Sequence, residues 1–160
     1  MSEQKQIVYI DTSILISPLF DKEDKRRSAN NILNKLAYNS KNYEISIPHI
    51  VVGEAINAIL LKSEQDFNNK LQWFINMLHK LNAKLKPLED RIADIALKLR
   101  KKDDRIDFCD LIIIAHAIYH TKQSGKEVKL YIRSSEVNEN YQLRKTIDEE
   151  SDNKVEILED

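Results

Sequence analysis

Apolar positions along this chain follow two rhythms: short uniformly apolar runs, and longer stretches where they recur every three or four residues. Ile7 to Ile10 is the first short run, rich in β-formers, and predicts a strand buried on both faces, as in a parallel sheet. It ends at Asp11, Thr12 and Ser13, followed by Ile14 and Leu15. The charged patch Asp21 to Arg27 precedes a helical stretch carrying Ala29, Ile32, Leu33 and Leu36. Glu44 to Ile47 reads as a second strand, stopped by Pro48, which opens a helix running to about Leu61. An amphipathic helix follows, with Phe67, Leu71, Phe74, Met77, Leu78 and Leu81 near 3.6-residue spacing. Leu85 to Leu88 is a short strand or an extended connector around Pro87. A helix from Glu89 to Lys101 and a charged hinge, Arg100 to Arg105, lead into Asp107-Phe108-Cys109-Asp110 and the apolar run Leu111 to Ile118. Val128 to Ile132 and Val155 to Leu158 are strands, and Asp148 to Asp152 is an acidic connector. Strands alternating with helices predict an α/β domain with a parallel sheet.

Composition narrows the classes. The 160 residues fit one domain, residues 1–160, and 42% apolar content supports a real core. A net charge of −1 gives no global nucleic-acid signature, so RNA contact would rest on local basic residues or on metal-bridged phosphates. One cysteine excludes an internal disulfide framework. The polar N-terminus and the absence of a long apolar run predict a cytoplasmic chain with no membrane partner. Glycine is the informative absence. With only Gly53 and Gly125, neither the dinucleotide fingerprint nor the P-loop can be written anywhere.

The acids therefore carry the chemistry. Ligands of parallel α/β sheets sit beyond the carboxyl ends of the strands. Asp11 follows the first strand, Glu54 lies early in the helix opened by Pro48, and Asp110 lies in the opening turn of the helix after the hinge. Glu136 comes just past the strand Val128 to Ile132. Two carboxylates about 5 Å apart repel by roughly 3 kcal/mol at an effective dielectric near 20. A hard divalent ion, Mg²⁺ or Mn²⁺, removes that penalty, activates water and stabilises charge on a phosphate in transit.

Val8 to Ser13, Ile47 to Glu54 and Asp110 to Ala115 together resemble the three leading motifs of the PIN-domain family, in the same order and over nearly the whole chain. The resemblance implies a three-layer α/β/α sandwich with a central parallel sheet. It also implies a Mg²⁺- or Mn²⁺-dependent endoribonuclease, such as the VapC-type toxin of a toxin–antitoxin pair. Asp11, Glu54 and Asp110 become metal ligands, with Thr12 or Ser13 orienting Asp11 or a metal-bound water. RNA becomes the substrate, with a protein antitoxin as partner and a homodimer as the assembly. The family pattern has a fourth aspartate after the next strand. This chain has Ser134-Ser135-Glu136-Val137-Asn138 there, which leaves Glu136, one methylene longer, as the candidate.

Other readings compete. Asp11 could end a strand, Glu54 could be a solvated helix residue, and Asp107 with Asp110 matches a capping box. His116 and His120 have the spacing of a metal pair but no evident third ligand. Cys109 is expected to be a small buried hydrophobe. Arg100, Lys101 and Lys102 are backbone-contact candidates, Lys25 to Arg27 a solvated helix start, and Trp73 beside Phe74 part of a helix that is mostly core. A catalytically degraded PIN-like module that binds RNA or a protein is the alternative to the nuclease. A phosphoacceptor domain fits less well, because Thr12 stands where a second acid would follow Asp11.

Overall fold

All five strands of the sheet run parallel, in the order β3-β2-β1-β4-β5. They are β1 (Gln6–Ile10), β2 (Tyr43–Pro48), β3 (Lys84–Lys86), β4 (Val128–Tyr131) and β5 (Val155–Leu158). The computed structural model describes residues 4–159; residues 1–3 and 160, with the first half of the polar N-terminal start, lie outside the described residues. Ile7 to Ile10 are all buried, as a strand with a helical layer on each face requires. Among the described residues, eight helices connect the strands: α1 (Thr12–Phe20), α2 (Glu23–Tyr38), α3 (His49–Lys62), α4 (Phe67–Lys80), α5 (Asp90–Lys102), α6 (Phe108–Ser124), α7 (Ser135–Asn138) and α8 (Tyr141–Ser151). Together they form the expected α/β/α sandwich. No described helix is long and apolar enough to cross a membrane.

Helices α5, α6 and α8 pack with one another, and α1 to α4 form a second group. α6 is the most enclosed, with every residue from Leu111 to Ile118 buried. Its β1-facing side meets Tyr9 through His116 and His120. A satellite cluster of Ile92, Ala96, Ile112 and Ala115 joins α5 to α6. Gly125, at φ +71°, ends α6 in the left-handed conformation that glycine adopts without strain.

Two helices escape the sequence pattern. α1 is short and carries Pro18, so it offers neither a full amphipathic period nor a clean helical composition. α8 takes in most of the expected connector: Asp148 to Ser151 form its last turn, with Leu143, Thr146 and Ile147 buried beneath. Lys25, Arg26 and Arg27 belong to the first turns of α2, where Arg27 pairs with Glu23 at 2.7 Å. The ambiguous Leu85 region resolves as the short edge strand β3.

Candidate active site

β1 connects onward to β2 and β3 on one side, whereas its other neighbour is β4. The strand order reverses between β1 and β4, the place where open α/β sheets form a ligand crevice. Asp11 is the residue at that crevice. Its backbone N–H donates to the Tyr131 carbonyl at 2.9 Å, tying the end of β1 to the end of β4. The carboxylate is 5% exposed, and its Oδ2 accepts from Ser13 Oγ at 2.6 Å and from the Arg133 backbone N–H at 3.3 Å. Burial raises its pKa above the usual carboxylate range, and the Ser13 and Arg133 donors oppose that rise.

Thr12 takes a different task. Its Oγ1 donates to Glu54 Oε1 at 2.7 Å, fixing a carboxylate that otherwise extends from an exposed position on α3. Of the two hydroxyls, Ser13 is the one that orients Asp11, whereas Thr12 orients Glu54, a pairing outside the alternatives the sequence offered.

The third side of the site comes from the start of α6. Asp107 is its N-cap, accepting from the Cys109 backbone N–H at 2.9 Å. Asp110, in the first turn, is half-buried. Its carboxyl is pushed up to about 7, first by burial and then by the charges of Asp11, Asp107 and Glu54, against a hydrogen bond with Ser134. The same three acids acting on one carboxyl establish that Asp11, Glu54, Asp107 and Asp110 share one small region. Helix N-termini of α1 and α6 also point there, and their partial positive charge favours anionic groups.

Cys109 differs from expectation. It is half-buried at the site, where its thiol pairs with Glu54 and is raised to about 11 by burial and by Glu54, Asp107 and Asp110. Such a thiol stays protonated at neutral pH and is a poor nucleophile. Donor atoms of Glu54, Asp107 and Cys109 lie within 4.8 Å of one another, the one group of three potential ligands that close among the described residues. The trio Asp11, Glu54 and Asp110 is therefore more open than that.

Glu136 stands apart. It is exposed on α7 and lines a shallow depression with Arg105, Glu139 and Tyr141. The leading charges acting on Asp110 are those of Asp11, Asp107 and Glu54. Asp107 is the fourth carboxylate that the fold delivers, and Ser134 is the residue past β4 that reaches Asp110. Position carried the missed signal: Ser134 follows the strand end more closely than Glu136 does. Arg133 was also missed. Besides its backbone contact to Asp11, its guanidinium donates to Ser17 Oγ at 2.8 Å, Asp21 Oδ2 at 3.1 Å and the Lys25 carbonyl at 2.7 Å. These contacts lock the segment after β4 onto α1 and α2.

The hinge before α6 is also ordered. Arg100 donates to the carbonyls of Asp104 and Ile106 and lies 5.8 Å from the Phe108 ring centroid. Arg100 thus acts as a clamp on the loop that aims Asp107, while Lys101 and Lys102 remain exposed.

A family model described as PIN domain matches residues 8–121. No curated protein matches the chain. Among solved structures, VapBC2 from Rickettsia felis bound to a DNA fragment from its promoter aligns with a TM-score of 0.64 at 20% identity, covering 96% of this chain and 98% of that one. FitAcB from Neisseria gonorrhoeae aligns with a TM-score of 0.62 at 17% identity, covering 93% and 96%. VapBC-1 from nontypeable Haemophilus influenzae gives 0.59 at 15% identity, covering 96% and 98%. At these identities the structural likeness speaks for the fold.

Proposed function

The chain belongs to the PIN-domain family, and from that premise we propose that it is a divalent-metal-dependent endoribonuclease acting as the toxin of a toxin–antitoxin pair. The observation that carries the reading is the convergence of Asp11, Glu54, Asp107 and Asp110 at the β1–β4 reversal, where burial and the other three acids raise the Asp110 carboxyl. We take residues 1–160 as one such unit.

The donor set fits a hard cation. Oxygen ligands dominate, and the one sulfur, Cys109, holds its proton. Asp11, Glu54 and Asp110 would hold Mg²⁺ or Mn²⁺, with Asp107 rather than Glu136 completing the acidic wall. When bound, such an ion neutralises phosphate charge and makes its water a better nucleophile. Ser13 and Thr12 keep Asp11 and Glu54 aimed inward, so little reorganisation accompanies loading. In the metal-free chain Asp110 is raised to about 7, and a bound cation would favour its ionised form. Ser134 sets its orientation.

An antitoxin partner accords with the names of the structural neighbours, which are toxin–antitoxin complexes, and with an apolar surface on α3. There Ile56, Leu60 and Leu61 are exposed, the last at 74%. Ile56 and Leu60 stand one turn apart and form a ridge suited to a partner helix or a second copy. Trp73 on α4 is half-buried against the core, in keeping with a helix that is mostly core.

Cleavage of a mixed RNA pool with Mg²⁺, Mn²⁺ or EDTA tests the reading. Wild type should cut only with metal, and Asp11→Asn and Asp110→Asn should each lose at least ~100-fold, the scale of removing one transition-state electrostatic contact. Folded wild type that cuts nothing with either ion would favour the non-catalytic binding module. Activity unchanged from wild type in both variants would remove the site assignment.

A further inference from the structure

A second cavity lies away from the carboxylates, on the α6 side of the sheet. It measures ≈ 200 Å³ and is lined by Tyr9 of β1, Lys86 at the end of β3, Glu89 and Ile92 around the start of α5, and His116 and His120 of α6. Nothing in the nuclease reading uses it.

The cavity wall is more polar than packing requires. His116 is 2% exposed, and its Nε2 has no hydrogen-bond partner. Leaving a buried polar atom unpaired costs about 1–3 kcal/mol, so such atoms ordinarily face a ligand or water. His120 Nδ1 pairs with the Tyr9 hydroxyl at 2.9 Å, and the buried Ser46 lies at the register position beside Tyr9. Burial keeps the Tyr9 hydroxyl protonated. When it donates in that pair, the proton of neutral His120 sits on Nε2, leaving a second N–H donor.

Charge decides the kind of ligand. Burial, then His49, Lys86 and His120, lower His116 to about 4. His120 is lowered by burial and by Lys86, Lys126 and Lys84, with Glu44 opposing. Lys86 thus acts on both rings, and the same field would repel a metal cation held between them. Among the described residues, neither histidine belongs to a three-ligand group. Glu89, the one acid of the lining, accepts from the Tyr119 hydroxyl, and its charge opposes that of Lys86. The donors offered to an acceptor are one ammonium and two imidazoles. The volume is below the roughly 300–1,000 Å³ of pockets for drug-sized ligands, so a compact group fits and a whole nucleotide does not.

We propose that this cavity binds a small oxyanion of phosphate size, held by Lys86, His116 and the Tyr9–His120 pair. It is separate from the carboxylate site and stands whether or not the chain cuts RNA.

The test follows the His116 ring resonances by NMR in the full chain at constant ionic strength, with EDTA present, as inorganic phosphate is added. A saturable shift is expected. Lys86→Met keeps the aliphatic stem and, by removing a charge-assisted contact, should weaken binding about tenfold or more. Lys86 is only partly buried, so this variant avoids the folding risk of changing His116. A parallel arm uses dimethyl phosphate. A response to both identifies phosphodiester, as in a nucleic-acid backbone, as an accepted source; a response to inorganic phosphate alone identifies free phosphate or a monoester. An unmoved His116, equal affinity in Lys86→Met, or a tighter response to Zn²⁺ in a metal arm without EDTA would overturn the proposal.

Discussion

Adjacent hydroxyls at positions 12 and 13 serve different acids, and the reason lies in backbone direction. Asp11 is the last extended residue and Thr12 the first helical one, so successive side chains at this junction leave in different directions. Ser13 returns to Asp11, whereas Thr12 crosses to Glu54 on α3. Removing the Thr12 hydroxyl in Thr12→Val should leave the fold within ~1 kcal/mol, since one hydrogen bond to an exposed carboxylate is lost. Mn²⁺ affinity should fall about tenfold, the lower end for loss of an orienting partner. Calorimetric Mn²⁺ titration measures this, and an unchanged dissociation constant would show that Glu54 needs no tether.

Among the elements, the α5–α6 connection sets the geometry of the acidic wall. Asp103 accepts from Arg105 and from Asn140, Arg100 holds two carbonyls, and Asp107 caps α6. Arg100→Ala should speed amide exchange across residues 103–107 at least tenfold and weaken metal binding, while β1 and β4 keep their protection. Exchange that rises equally throughout the sheet would mean that Arg100 supports the whole fold instead. This loop also marks the limit of what sequence conveys. Strands and amphipathic helices announce themselves by period, which is why β1, β2, α4 and α5 were legible, and with β1 the position of Asp11 just past its end. Arg100 looked like a phosphate contact because a sequence cannot show that its donors are spent on nearby carbonyls. Glu136 looked like the fourth acid because its chemistry is right; α7 turns it outward. Asp107 was legible as a cap, but its second position, beside Glu54, depends on how α3 and α6 meet.

For the molecule as a whole, the crowded carboxylates couple stability to pH and to metal. Asp110 has an ordinary pKa of 3.8 and one of about 7 when folded, so the folded chain holds the extra proton between those values. Its contribution to stability is greatest below the unfolded pKa and declines as pH rises through about 7, with Asp11 acting in the same direction. A bound cation offsets this loss by stabilising the ionised form. The rise in Tm on adding Mn²⁺ should therefore be larger at about pH 7.5 than at about pH 5.5. In metal-free protein, Asp110→Asn should flatten the decline with pH. Thermal unfolding with EDTA or Mn²⁺ reads both effects; equal increments at the two pH values in wild type would show that the site does not bind through ionised Asp110.

The contact between Asp11 and Arg133 spans 122 positions of chain. Asp11, near the beginning, has no fixed surroundings until β4 pairs with β1 and the residues after β4 close over it. At about 5–20 residues per second, that interval lasts roughly 6–24 s of translation. A ribosome making this protein therefore carries Asp11, Glu54, Asp107 and Asp110 for seconds before the pocket can close. Under the proposed nuclease activity, the late pairing of β4 acts as a built-in delay, because the pocket closes only after Arg133 has been made.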